Sequence, residues 1–369
     1  MHLQNQELRP SLSLPNHIQI SPASRKLRIV QAIFTGSFAG SERVTVELCN
    51  ALSEHHDVLL LVGDDLGPSG DSILNHVHVR VQVKKIPASL RTLRVVLETW
   101  KFRADIYHAH LGRAVRCARF ILRPTKGVAT WHMARPIATT GLDGVILISP
   151  WQKSLGLEGN GLPGFIVISN WVNRFEAPCP ESLLSLRKQI DLHRDDFVLG
   201  FVGRPTKRKR LVEALKAFQK WNAPNAVFVV VGIKATEDDE LKRFAADPRI
   251  RFLGHRTDVY DLYWIMDCLV LLADHEAFGL AAIEAMRAGR QLIVNNSHGL
   301  GDIAASNPDI IAIDASSLDQ ICQAYDTALL RRHVTPSYNM SFYDAAARVS
   351  DIENFYLKLL EPVSAALPA

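Results

Sequence analysis

Cysteine is sparse in this chain. Five cysteines are scattered over 369 residues (Cys49, Cys117, Cys179, Cys268 and Cys322), with no Cys-x-x-Cys pair. A disulfide framework or a thiolate metal set is therefore not expected, and a reducing cytoplasm fits. No apolar run approaches the roughly 18 residues that a membrane span needs. Residues 1–25 lack an apolar core and carry Pro10, Pro15 and Pro22. They are expected to form a loose, disordered polar tail rather than a signal peptide. There is no internal repeat and no low-complexity run. No Asp-x-Asp loop offers a catalytic metal site, because Asp64-Asp65 and Asp238-Asp239 are adjacent pairs in expected loops. Basic runs are not interleaved with aromatics, so nucleic acid is not an expected partner.

The length suits two domains of ordinary size, and the 47% apolar fraction can fill two cores. The net charge of +4 is unevenly spread. Residues 1–175 hold 20 Lys+Arg against 12 Asp+Glu, and residues 176–369 hold 22 against 26. The basic first half points to an anionic partner, such as a phosphorylated acceptor or an anionic membrane face.

Strands and helices are expected to alternate. Leu27–Ile33 reads as a strand entering a Gly/Ser loop, Glu42–Glu54 as an amphipathic helix and Asp57–Val62 as a second strand. Further strands are expected at 105–108, 127–130, 144–148 and 165–168. Residues 173–180, with Pro178 and Pro180, read as a linker. A second alternation follows: strand Phe197–Val202, helix Leu211–Trp221, strand Val227–Val231, then strands at 250–253, 268–272 and 291–294. This is the pattern of two α/β halves built on parallel sheets, with a ligand in the cleft at the carboxyl ends of the strands.

The most informative segment is His275–Met286. Glu276 and Glu284 stand with seven residues between them, after the apolar run Leu269–Leu272. Phe278-Gly279 reads as a sharp turn into a helix, whose free N–H groups and positive dipole end suit an anion. Glu284 would lie roughly 7–8 Å along that helix at 1.5 Å per residue. Such a layout fits a ligand with hydroxyls at both ends and a charged centre, as in a nucleotide sugar. By chance alone, two solvated carboxylates would be the commoner explanation. The slim helix (Ala281, Ala282, Ala285) and the permissive Gly279 favour a ligand.

This block resembles the Glu-x(7)-Glu signature of the family-4 retaining glycosyltransferases, which have the two-domain GT-B fold. The resemblance covers about residues 27–360. It implies a nucleotide-sugar-binding second domain (176–342). It also implies an acceptor-side first domain (26–175) onto which a last helix, within 343–365, packs back. Gly203–Arg210 follows a strand and supplies Arg204 and Lys209, which by resemblance neutralise the diphosphate. The usual Gly after that Lys is replaced here by Arg210. Phe252–Arg256 resembles the segment that meets the nucleotide base, and Asn296–Asp302, with His298, a late Gly-rich loop. Phe38–Val44 resembles the family's Gly-Gly-x-Glu-Arg-Val loop, with Ala39 for the first Gly and Gly40 matching the second.

By the same resemblance, Glu276 orients the donor hexose, Glu284 holds the ribose, and Phe278, Gly279 and Leu280 border the donor. His132, in Thr130-Trp131-His132, faces the reacting sugar. His108 and His110 end the preceding strand and compete with it. Taken as lying on opposite faces, at most one of them would point into the cleft. Arg113, Arg116, Arg119 and Arg123 are expected to form one basic helical stripe. Ser89–Arg103 reads as a basic amphipathic helix, more often core-facing than membrane-facing.

The resemblance implies a metal-independent enzyme that needs no cofactor beyond its UDP- or GDP-sugar donor. A hexose would pass to a glycan or lipid-linked acceptor, as in lipopolysaccharide or surface polysaccharide synthesis. The expected place is the cytoplasm, on the inner face of the membrane where the basic surface touches lipid. A GT-B nucleotide-sugar epimerase and a non-catalytic GT-B scaffold are the rival readings.

Overall fold

The computed structural model describes residues 25–35, 38–64, 72–135, 139–155 and 164–362. The N-terminal segment read as a tail lies, but for Arg25, outside them.

The first half is built on a seven-stranded parallel sheet. Its strands are β1 (Arg28–Ile33), β2 (Asp57–Gly63), β3 (Gln82–Ile86), β4 (Ile106–His110), β5 (Lys126–Trp131), β6 (Gly144–Leu147) and β7 (Phe165–Val167), in spatial order β3-β2-β1-β4-β5-β6-β7. The inner strands are buried along nearly their whole length. A parallel sheet covered on both faces requires this, and it is why the strands read as unbroken apolar runs. Among the described residues, three α-helices connect them: α1 (Gly40–Leu52), α2 (Arg91–Lys101) and α3 (Leu111–Ala118).

The second half opens with α4 (Pro180–Gln189), then alternates strictly: β8 (Phe197–Val202), α5 (Leu211–Trp221), β9 (Ala226–Val231), α6 (Asp239–Lys242), β10 (Ile250–Gly254), α7 (Val259–Ile265), β11 (Cys268–Leu271), α8 (Leu280–Arg287), β12 (Gln291–Asn295), α9 (His298–Ala305), β13 (Ile311–Ile313) and α10 (Leu318–Leu330). Its six parallel strands lie in the order β10-β9-β8-β11-β12-β13.

The last helix, α11 (Ala345–Leu360), leaves the second half and packs Val349, Ile352, Phe355 and Tyr356 into the core of the first. Asp344 caps its start by accepting from the Ala347 amide at 3.1 Å. It docks so closely on β6 that a Cβ on Gly144 would stand 2.5 Å from the Phe355 ring. Burial of each such large apolar side chain stabilises the fold by about 1.5–3 kcal/mol.

The order of strands in each sheet reverses once, between β1 and β4 and between β8 and β11. At such switch points the connections diverge to opposite faces and leave a crevice at the carboxyl ends of the strands. The segments after β1, β8 and β11 carry Gly40, Arg204, Lys209, Glu276, Phe278 and Gly279, while His132 follows β5 and Glu284 lies on α8.

Candidate active site

The two crevices face each other. Leu280, the first residue of α8, packs into the cores of both halves. A Cβ placed on Gly40, at the start of α1, would come within 2.6 Å of the Leu280 Cδ1 atom. Gly40 therefore marks how closely the halves approach, although a side chain there would displace only the end of Leu280 and no backbone.

Gly279 caps α8 in the left-handed region, with φ 113°. A side chain there would be strained, and its Cβ would lie 2.8 Å from Leu300. Phe278 is buried against the Tyr343 ring. Glu276 stands in the loop before the helix, held there by the Gly299 amide, which donates to its carbonyl at 3.0 Å. Glu276 forms an ion pair with Lys209. Lys209 ends a short turn after β8, and Arg210 follows it at φ 52°. That conformation favours glycine, and a 3.0 Å ion pair with Asp274 accompanies the arginine there. Arg204 is exposed on the same loop and has no partner among the described residues. Lys209, Glu276 and the N-terminus of α8 are thus brought together, with Arg204 beside them.

Glu284 is the fifth residue of α8, and it is buried rather than open. One carboxylate oxygen accepts from the Arg43 guanidinium at 2.5 Å and the other from the Tyr263 hydroxyl at 2.5 Å. Arg43 belongs to α1, so this pair ties the two halves together. Arg43 also donates to the Tyr260 hydroxyl at 2.7 Å. Burial opposes the charge of Arg43, but Glu284, Tyr260 and Glu47 outweigh it and hold the guanidinium above its ordinary value. Glu47, which accepts from the Trp171 indole at 2.8 Å, is pushed up to about 7 by burial despite Arg43. A second link joins the halves at Asp302, which accepts from the Ser149 hydroxyl at 2.7 Å and the Trp151 amide at 2.8 Å. The Trp151 indole donates to the Ala277 carbonyl at 3.1 Å, and its ring meets His298 edge-on.

Four sequence expectations need correction. His108 and His110 do not lie on opposite faces. Residues two apart on a strand share a face, and their rings lie 4.3 Å apart. Both are fully buried, and His110 meets the half-buried His132 at 3.0 Å. Segment 296–302 is a Gly-rich helix start, not a loop: α9 begins at His298. Gly299 is needed because a Cβ would strike the Phe278 carbonyl at 2.6 Å. Asp238 and Asp239 are not in an open loop, since Asp238 caps α6 and Asp239 pairs with Lys242. The basic stripe is also shorter than expected. α3 ends at Ala118, and Arg123 lies beyond it, bonded to Asp143 at 2.6 Å.

Tyr260, Tyr263 and Trp151 were not singled out from the sequence, and Arg43 and Asp302 appeared there only as members of segments, with no role of their own. Arg43 stood inside the Phe38–Val44 segment, but its partner is 241 residues away. Only the fold joins them.

The architecture defines a GT-B protein: two Rossmann-like halves with a cleft between them. Residues 185–347 match the family model described as glycosyl transferases group 1, and residues 38–175 match that of glycosyltransferase family 4. The chain belongs to this glycosyltransferase family. It is similar to an uncharacterized glycosyltransferase of Methanocaldococcus jannaschii, 28% identical over 155 residues, or 40% of each chain. It is also similar to the capsular polysaccharide biosynthesis glycosyltransferase CapM of Staphylococcus aureus, 25% identical over 138 residues, or 36% of each. The match spans well under half the length of these curated relatives. Among solved structures, Anabaena HepE in complex with UDP and glucose superposes with a TM-score of 0.76 at 18% identity, covering 90% of this chain and all 100% of that one. WaaG, a glycosyltransferase involved in lipopolysaccharide biosynthesis, gives 0.65 at 15% identity, with 90% and 100% covered. These superpositions establish the fold.

Proposed function

We propose that this protein transfers a hexose, with retention of anomeric configuration, from a UDP- or GDP-sugar to a hydroxyl of a glycan or lipid-linked acceptor. The observation that carries the reading is the convergence of Lys209, Glu276 and the α8 N-terminus in a crevice that faces Gly40 across the cleft. A diphosphate seated at Gly279 and Leu280 would meet the free amides of the first helical turn and the positive end of the dipole. Arg204 and Lys209 would add charge-assisted bonds that stabilise it as a leaving group. Glu276 would exchange part of its bond to Lys209 for hydroxyls of the donor hexose. Glu284 would meet the ribose. Each carboxylate oxygen can accept two bonds, so with Arg43 on one and Tyr263 on the other each oxygen keeps capacity for one more. His132 would contact the transferring sugar or the acceptor.

Diphosphate charge is handled in this reading by side chains and a helix terminus, so no metal or cofactor is invoked. The finer role, in lipopolysaccharide or surface polysaccharide synthesis at the inner face of a membrane, draws support from CapM and WaaG as described by their names. It draws support too from an exposed apolar and basic face on α2.

The test is a panel of UDP- and GDP-sugars with candidate glycan and lipid-linked acceptors, read by NMR at the new anomeric centre. A retained linkage, formed equally well in EDTA, is expected. Isomerised sugar from the donor alone would instead identify an epimerase. Absence of donor binding across the panel would leave a non-catalytic scaffold.

A further inference from the structure

Behind His132 runs a buried chain of hydrogen bonds that the transfer reading does not use. It joins β1, β4, β5 and α11. Gln31 Nε2 donates to the Tyr356 hydroxyl at 3.2 Å. The Gln31 Oε1 atom therefore faces His110 Nε2, at 2.8 Å. An amide oxygen only accepts, so His110 carries its proton on Nε2. A neutral imidazole has one proton, which leaves His110 Nδ1 bare. That nitrogen lies 3.0 Å from His132 Nε2 and accepts from it. His132 thus holds its own proton on Nε2, and its Nδ1 is a bare lone pair. The two ring nitrogens diverge, so Nδ1 is turned away from the buried His110.

The other branch agrees. The Tyr356 oxygen, already accepting from Gln31, donates its proton to His108 Nδ1 at 2.5 Å. His108 then carries its proton on Nε2 and donates to the Thr130 hydroxyl at 2.7 Å. Every bond follows from the orientation of one amide, and turning that amide over would reverse them all. Neutrality of the chain is supported by burial. It lowers His108 to about 3 and His132 to about 4, and with the neighbouring imidazoles it takes His110 well below its ordinary value.

We propose that Gln31, His110 and Tyr356 are positioning residues for His132, fixing its proton on Nε2 so that Nδ1 is presented as a hydrogen-bond acceptor for a sugar hydroxyl. The hydroxyl partner rests on the transfer reading above; the tautomer does not. An uncharged acceptor at this point selects a ligand O–H and would leave a ligand carbonyl or carboxylate unpaired. α11 thereby does more than close the first core, since its Tyr356 joins the two branches of the chain that ends at His132.

The experiment is long-range ¹H–¹⁵N correlation NMR on the full chain labelled with ¹⁵N-histidine, together with turnover. In the wild type, His110 and His132 should each show a protonated Nε2 and a bare Nδ1. A proton on His132 Nδ1 overturns the proposal, and this measurement needs no variant. Gln31→Met removes both bonds of the amide and should give mixed tautomers at His110 and His132. A single unchanged tautomer would also overturn it. Gln31→Glu still accepts from His110 and should keep the wild-type tautomer. Turnover should fall about tenfold in Gln31→Met, with donor KM little changed, and recover in Gln31→Glu. If the tautomers shift as expected but turnover does not, the hydrogen-bond chain stands and the role of His132 in transfer falls.

Discussion

Glu276 and Glu284 have different keepers, and that difference makes their roles separable. Glu276 is paired with a half-buried lysine at the mouth of the crevice, while Glu284 is buried between Arg43 and Tyr263. Glu284→Gln should weaken binding of the cognate nucleoside diphosphate by about 1.5–3 kcal/mol, the worth of a charge-assisted bond. Glu276→Gln should leave that binding nearly unchanged, because the free nucleotide has no hexose, and should lower transfer through a misplaced anomeric carbon. Calorimetry on both variants decides it; equal weakening, or none, would remove the two-ended donor assignment. At this scale the sequence is informative about kind and poor about company. The spacing of the two carboxylates and the Arg204–Lys209 loop could be read, because each lies within a short segment. Arg43, Tyr263 and Gln31 could not, because what gives each its importance is a partner brought from a distant strand or from the other half.

α2 shows the same limit in an element. Its amphipathic character is legible in Ser89–Arg103, but not which side faces out. Only Val95 and Thr99 are buried in the helix, while Leu90, Leu93, Leu97 and Trp100 are exposed, the last at 62%. The reason is position. α2 lies beside β3, an edge strand whose first four residues are themselves exposed, so little sheet remains for the apolar face to cover. Lys85, Arg94 and Arg103 on α2 and its neighbours are exposed, as are Lys84 and Lys101, which pair with Glu98. An apolar strip with exposed cations beside it suits an anionic bilayer. Vesicles containing anionic lipid should bind the protein, less so at high salt, and the triple change Leu93→Ser, Leu97→Ser, Trp100→Ser should abolish sedimentation with them. Equal binding to neutral vesicles, or undiminished binding by the triple variant, would count against this face. The inner strands, in contrast, were legible to within two residues, because a parallel strand buried on both sides leaves an unbroken apolar run, whereas the edge strands β3 and β13, short and partly exposed, were not read at all.

For the whole molecule, the decisive feature is that buried titratable groups sit where elements join. His108, His110 and His132 connect β1, β4, β5 and α11, and burial holds all three neutral, with His108 lowered to about 3 and His132 to about 4. In the unfolded chain each titrates near 6.5. As pH falls below that value the unfolded chain takes up protons that the folded one refuses, so stability is present above it and is lost below it. Glu47 acts in the opposite sense. Its folded value of about 7 lies above the ordinary 4.5, so between those limits the folded state holds the extra proton and gains stability as pH falls. Three groups outweigh one, leaving a net loss on the order of 2 kcal/mol per pH unit between pH 6 and 5. Urea unfolding at pH 7, 6 and 5 should show that decline, and Glu47→Gln, which removes the opposing group, should make it steeper. Equal stability at pH 7 and 5 would mean the histidines are not held neutral in the fold. A shallower decline in Glu47→Gln would mean that the carboxyl at the junction of the two halves is already ionised.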